Sequence, residues 1–153
     1  MYKVLIVNFK NFLLNKSKDH NGRKLMDIVK FSDSEIESTH DFIQLIFPLD
    51  EPSNLSSNIY FIDSKLHLKN LQKNDLVKNK LIELSNWFIN FLKRQNHWMV
   101  NYNHNHLRIT RMIKSIRLIV GDKEANDIYN KIINIKDIKK KVGKKSLEYW
   151  KNA

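Results

Sequence analysis

An all-α fold, built as a single compact multi-helix domain over residues 1–153, is what this sequence predicts, and three observations predict it. Apolar residues recur at helical intervals along most of the chain. Capping and stop residues stand at the ends of those runs. Three glycines and two prolines are too few to punctuate a sheet protein with many turns. With 42% apolar content, the length suffices for one substantial core and is short for two.

Taken in order, the apolar run at residues 2–7 reads as a short strand or a turn of core helix. Ser34 and Glu37 have capping-box spacing, and Ile36, Ile43, Ile46 and Phe47 continue at helical intervals to a stop at Pro48. His40 falls on the apolar face of that helix, as a packed histidine. Residues 48–64 hold both prolines with Ser53, Asn54, Ser56, Ser57 and Asn58, the composition of a connecting loop. Asp75 is placed to cap the next helix, whose face carries Leu76, Val77, Lys80, Leu81, Leu84, Phe88, Phe91 and Leu92.

A helix beginning at Asn105 buries Ile109, Met112, Ile113, Ile116, Ile119 and Val120 and stops at Gly121. Asp122 opens another through Ala125, Ile128, Tyr129, Ile132 and Ile133, and a short one spans Leu147 to Trp150. Between these two, the lysine run from Lys136 to Lys145 reads as a solvated, mobile segment with an accessory role.

Two stretches carry the chemistry: T-H-D-F-I-Q-L-I-F-P at 39–48 and N-H-N-H-L-R-I-T-R-M-I-K-S-I at 103–116. They resemble the signature blocks of the opioid growth factor receptor conserved region, a domain of the vertebrate receptor and of many shorter microbial proteins. D-H-N-G-R-K-L-M-D-I at 19–28, S-D-S-E-I-E-S at 32–38, L-D-E-P-S at 49–53, Trp98, Tyr102 and S-L-E-Y-W at 146–150 extend the resemblance over most of the chain. It implies one conserved-region domain, a signalling receptor-like module without an established biochemical activity. The vertebrate member is described as an enkephalin receptor with a long repeat-bearing tail. No such tail is expected of this chain, and peptide reception does not transfer on domain similarity alone.

The absence of cysteine excludes a disulfide framework, a thiolate zinc site and a cysteine nucleophile, and fits a cytoplasmic protein. No window reaches the roughly 20 apolar residues of a membrane span. The net charge of +11 invites an anionic partner, although lysine supplies all but five of the 27 basic residues and reflects a general compositional bias. Arginine is therefore informative where it occurs, as at Arg108, Arg111 and Arg117.

From Leu84 to Gly121 there is no Asp or Glu. A helix start normally carries acids, yet the one at Asn105 carries Arg108, His104 and His106. The expected site joins His40, Asp41 and Gln44 of the first block to Trp98, His104, Asn105, Arg108 and Arg111 of the second, and takes an anionic ligand or a peptide or protein partner. Arg108 and Arg111 bind the anion, His104 and Asn105 make hydrogen bonds, and Trp98 supplies a stacking surface, with Trp87 left in the core. In the structural alternative, Asp41 pairs internally with Arg108 or Arg111.

Two other function classes remain open. A nucleic-acid-binding protein would add Lys114, Arg117 and the lysine run. A phosphoester hydrolase would use His104, with Asp41 helping to hold a metal. A metal site of His40, Asp41, His104 and His106 is weakly signalled, because the vertebrate member has Asn where His106 stands. No cofactor is expected, and enzyme is the minority reading.

Overall fold

The computed structural model describes residues 8–52 and 60–153. The described residues form an all-α protein: they contain ten helices and no strand. The apolar run at 2–7 and the middle of the 48–64 connection lie outside the described residues. The chain divides into two compact units, Met1–Leu81 and Ile82–Ala153.

The first unit holds α1 (Phe9–Leu13), α2 (Leu25–Val29), α3 (Asp33–Ser38), α4 (Ile43–Ile46), α5 (Lys65–Gln72) and the start of α6 (Asp75–Arg94). Its buried residues include Phe9, Phe12, Leu25, Ile28, Ile36, Phe42, Leu45, Ile46, Phe47 and Leu71. The helix expected across 34–47 is broken in two. Ser32, not Ser34, caps α3, its hydroxyl accepting from the Glu35 N–H at 3.2 Å while the Glu35 carboxylate accepts from the Ser32 N–H at 2.7 Å. Thr39 is extended (φ −95°, ψ 125°), so the chain leaves the helix before Asp41. His40 consequently stands exposed at the break rather than packed on an apolar face. Beyond it, residues 42–49 are all buried.

Asn74, not Asp75, caps α6, its side-chain oxygen accepting from the Val77 N–H at 3.0 Å. Leu76, expected on the buried face, points outward and is 66% exposed, while Val77, Leu81, Leu84 and Phe88 are buried. α5 occupies a stretch that the periodicity did not resolve. Ser64 caps it by accepting from the His67 N–H at 3.1 Å.

The second unit continues α6 and adds α7 (His104–Ile119), α8 (Asp122–Ile133), α9 (Ile138–Lys141) and α10 (Lys144–Asn152). α7 is its central element and packs against α8 and α10. Ile109, Met112, Ile113, Ile116 and Ile119 form the buried stripe, as the periodicity requires, while Val120 is half-buried. Gly121, at φ 149°, ends α7 and serves as the N-cap of α8, a conformation that side chains rarely adopt.

The lysine run is not a loose segment. α9 and the first two residues of α10 lie within it, anchored by Ile138 at 2% exposure and Val142 at 4%. Its charges are held outward on helical backbone, with Lys139, Lys140, Lys141, Lys144 and Lys145 exposed.

Gly143 is the tightest joint of this unit. Its N–H donates to the Asn101 carbonyl at 3.2 Å, and a Cβ at this position would sit 2.6 Å from that carbonyl oxygen. We expect Gly143→Ala to cost about 1–3 kcal/mol, because the Asn101 backbone carbonyl, unlike the Asn101 side-chain oxygen that also stands in the way, cannot swing aside. A chemical-denaturation midpoint unchanged from the native chain would show that the 101–143 contact yields freely.

Candidate functional site

In the second unit the second signature block is organised around His106. Asn103 caps α7, its side chain accepting from the Asn105 N–H at 2.9 Å, so the helix starts one residue earlier than the spacing predicts. This turns Asn105 and His106 inward, to 0% and 2% exposure. The ring nitrogens of His106 lie 2.8 Å from the Trp98 carbonyl (Nε2) and 2.8 Å from the Ser146 hydroxyl (Nδ1). A carbonyl only accepts, so Nε2 carries the proton and Nδ1 accepts from Ser146. Trp98, Tyr102 and Trp150 meet the ring edge-on, with centroids at 6.3, 6.2 and 5.3 Å. The backbone carbonyl of His106 accepts from the Trp150 indole at 3.0 Å and from the Thr110 hydroxyl at 3.1 Å.

This environment removes Trp98 from the expected ligand set and His106 from the weakly signalled metal site. Trp98 is fully buried, and its indole N–H points at the Leu92 and Gln95 carbonyls at the end of α6, 2.8 and 2.9 Å away. It closes a helix end and offers no stacking face. Trp87 is half-buried, so the core assignment belongs to Trp98 instead. His106 has no nitrogen to spare for a metal. Burial holds its pKa below the ordinary 6.5, opposed by the bond to the Trp98 carbonyl.

Arg108 is buried at 6% exposure, and its Nη1 lies 3.3 Å from the Asn105 side-chain oxygen one turn back. His104 and Arg111 are half-buried. Arg117 is engaged throughout: Nε with the Ala153 carbonyl at 2.8 Å, Nη1 with Asp122 at 3.0 Å and Nη2 with Asn126 at 2.9 Å. It ties α7 to α8 and the chain end, which takes it out of a nucleic-acid contact set.

His106, Ser146 and the 101–143 contact bring the starts of α7 and α10 together. Neither first turn contains an acid, and that of α10 carries the exposed Lys144 and Lys145. Tyr102 and Tyr149 are 65% and 54% exposed, and the Lys145 ammonium stands over the Tyr149 ring at 6.0 Å.

In the first unit Asp41 belongs to a polar cluster that the sequence did not reveal. The turn at 19–23 is closed by Asp19, whose Oδ1 accepts from the Asn21 and Arg23 N–H groups, both at 2.9 Å. Its Oδ2 accepts from Arg23 Nε at 2.7 Å. Arg23 then reaches Asp41 Oδ1 with Nη1 at 3.0 Å. Asp41 Oδ2 takes His20 Nε2 at 3.0 Å and the Asn21 amide at 2.6 Å. The carboxylate expected to pair with Arg108 or Arg111 is therefore occupied by three side chains of its own unit.

Burial raises the Asp41 pKa, but bonding and charge from Arg23 and His20 outweigh it, so the net shift is downward. For Arg23 burial acts downward and is outweighed by Asp19 and Asp41, so the net shift is upward. Gln44 is buried, its side-chain oxygen 3.5 Å from the Tyr60 N–H. Tyr60 packs on His20 with centroids 5.1 Å apart, and burial together with the charges of Asp19 and Asp41 pushes its hydroxyl up to about 12.

Asp19, His20, Asn21, Arg23 and Tyr60 are thus the residues that sequence reasoning missed. Asp19 and Arg23 had a local signal, an i,i+4 pair around a glycine, but their link to Asp41 spans a long stretch of chain. Among the described residues no group of three His, Asp or Glu side chains is placed to hold a metal ion. No helix among them is long and apolar enough to cross a membrane.

Arg23→Ala would leave Asp19, whose side chain is 0% exposed, without its counter-charge. We expect a loss of about 3–5 kcal/mol in urea unfolding; a loss below 1 kcal/mol, on the order of a surface pair, would mean that Asp19 is solvated. His106 is predicted to make stability fall as the pH drops below 6.5. Its folded pKa is depressed, so the unfolded chain takes the proton first, and the contribution is complete above 6.5 and lost below it. The urea midpoint of the native chain should decline more steeply there than that of His106→Gln, and parallel profiles would argue against a neutral, buried His106. Comparison of the chain with protein-family models, with curated proteins and with solved structures finds no match.

Proposed function

We propose that this chain is an intracellular binding module of the opioid growth factor receptor conserved-region family, and that it takes an anionic group where α7 and α10 begin. The two signature blocks support the family reading, and the lack of cysteine supports a reducing compartment. The observation that carries the site is the meeting of two helix starts, neither with an acid in its first turn, beside exposed Lys144 and Lys145. Helix starts present unpaired N–H groups and a partial positive charge, so two together with two ammonium groups favour phosphate or carboxylate. Arg108 and Arg111 add positive charge to α7, His104 and Asn105 add hydrogen-bonding groups, and the exposed lysines provide the contact that solvent-borne ligands reach first.

A second reading is favoured by Tyr102 and Tyr149, whose rings are exposed, with the Lys145 ammonium over that of Tyr149. Aromatic rings beside phosphate contacts suit single-stranded nucleic acid, where bases stack and the backbone meets the cations. The order of likelihood between an isolated anion and a strand is set by one experiment.

Fluorescent single- and double-stranded oligonucleotides are titrated by anisotropy across a salt series, with the native chain and a Lys144→Ala, Lys145→Ala double variant. The variant should bind more weakly and lose about 1.4 to 1.8 from the slope of log affinity against log salt, the contribution of two phosphate contacts. Equal affinity and slope would remove the site from the α7 and α10 starts. Saturable shifts of the Lys144 and Lys145 amide resonances on adding inorganic phosphate, without binding of either oligonucleotide, would favour the isolated anion.

A further inference from the structure

Within the second unit, α8, α9 and α10 border a groove of about 530 Å³ that opens to solvent. Its floor is apolar: Tyr129 and Ile133, one turn apart on α8, and Leu147 on α10, each half-buried. Lys139 of α9 and Lys144 and Lys151 of α10 stand exposed around that floor. Glu148 is the one acid in the lining, against three lysines, and Asn152 completes it. Lysines alone say little in a chain so rich in them, and a half-buried aliphatic side chain is ordinary. Together they have the anatomy of a small interface, an apolar centre inside a charged rim.

We propose that this groove docks an acidic amphipathic segment of a partner protein, which lays its apolar side chains on Tyr129, Ile133 and Leu147 and its carboxylates against Lys139, Lys144 and Lys151. The rim selects acids by charge complementarity, and the floor selects a segment that also carries apolar residues. A nucleic-acid strand satisfies only the rim. Ile133 and Leu147 are aliphatic and offer bases no stacking face, and a charge at every nucleotide would press on Glu148. A peptide carries its acids singly and can bring a backbone N–H or a cation to Glu148.

The open shape favours a segment over a small molecule. Small ligands are buried over most of their surface, whereas an amphipathic helix needs only one face covered. Lys144 and Lys151 are seven residues apart on α10, so the groove is about 10 Å long and receives roughly two turns of helix. A contact of that size is weak and transient. It shares Lys144 with the anion site proposed above but does not rest on it, since the floor, Lys139 and Lys151 lie outside that site.

The test follows the backbone amides of the ¹⁵N-labelled whole chain by NMR during titration with a peptide of about 15 residues, long enough to form a helix. The peptide consists of Glu and Ala with two leucines spaced one turn apart. Shifts should saturate and centre on Tyr129, Ile133, Leu147 and Lys151. A Lys139→Glu, Lys151→Glu variant, changed only at exposed positions, should bind the peptide about tenfold or more weakly. Leu147→Ala should weaken it several-fold while Lys139 and Lys151 are intact. The proposal is overturned if no shift saturates at these residues, or if the charge-reversed variant, still folded, binds the peptide equally. Equal binding of a peptide with serines in place of the leucines would reduce the groove to bare charge and overturn it too. A single-stranded oligonucleotide that shifts the same residues and displaces the peptide would overturn the partner class.

Discussion

The cost of taking polar side chains out of water is the constraint on which both units rest. In the first unit that cost is met by a single guanidinium. Arg23 lies across Asp19 and Asp41 and donates to both, and against the upward pull of burial it helps to hold the Asp41 carboxyl below its ordinary pKa. The planar fork matters, since one group must serve two carboxylates in different directions, which a lysine ammonium does less well. In the second unit the same constraint is met without charge. A neutral imidazole at His106 donates a hydrogen bond to one carbonyl and accepts one from a serine, so a polar ring can stand among Trp98, Tyr102 and Trp150.

Each arrangement also determines what surrounds it. Holding Asp41 against the 19–23 turn requires the chain to leave the helix at Thr39, which exposes His40 and starts the buried run at Phe42. Holding His106 against Ser146 places the start of α10 beside the start of α7, with Gly143 admitting the close backbone approach. The positive character of the second unit therefore has a local origin. It comes from helix starts without acids and from lysines fixed on short helices, in addition to the bulk charge of the chain.

Several residues were legible in kind and misplaced in role. Arg117 was recognisable as an arginine kept in a lysine-rich chain, and its planar donors are used, but on Asp122, Asn126 and a carbonyl. Trp98 was recognisable as a neighbour of the second block, and it closes the end of α6 instead of facing outward. The lysine run looked unanchored because Ile138 and Val142 are only two apolar residues, yet two side chains at that spacing hold a short helix. Capping positions moved by one or two residues, because several Asn, Asp and Ser neighbours satisfy the same local rule.

What the sequence by itself determined is the helical class, the buried stripe of α7, the stop at Gly121 and the acid-free stretch that makes the second block basic. These are local properties: periodicity, glycine and charge act within a turn or two of the chain. Only the tertiary structure decided that Asp41 answers Arg23 and His20, that His106 is a neutral core residue, and that Tyr60 ends against His20 with its hydroxyl unmatched. Those outcomes depend on which polar groups meet after distant segments exclude water together, and no residue's neighbours in sequence carry that information.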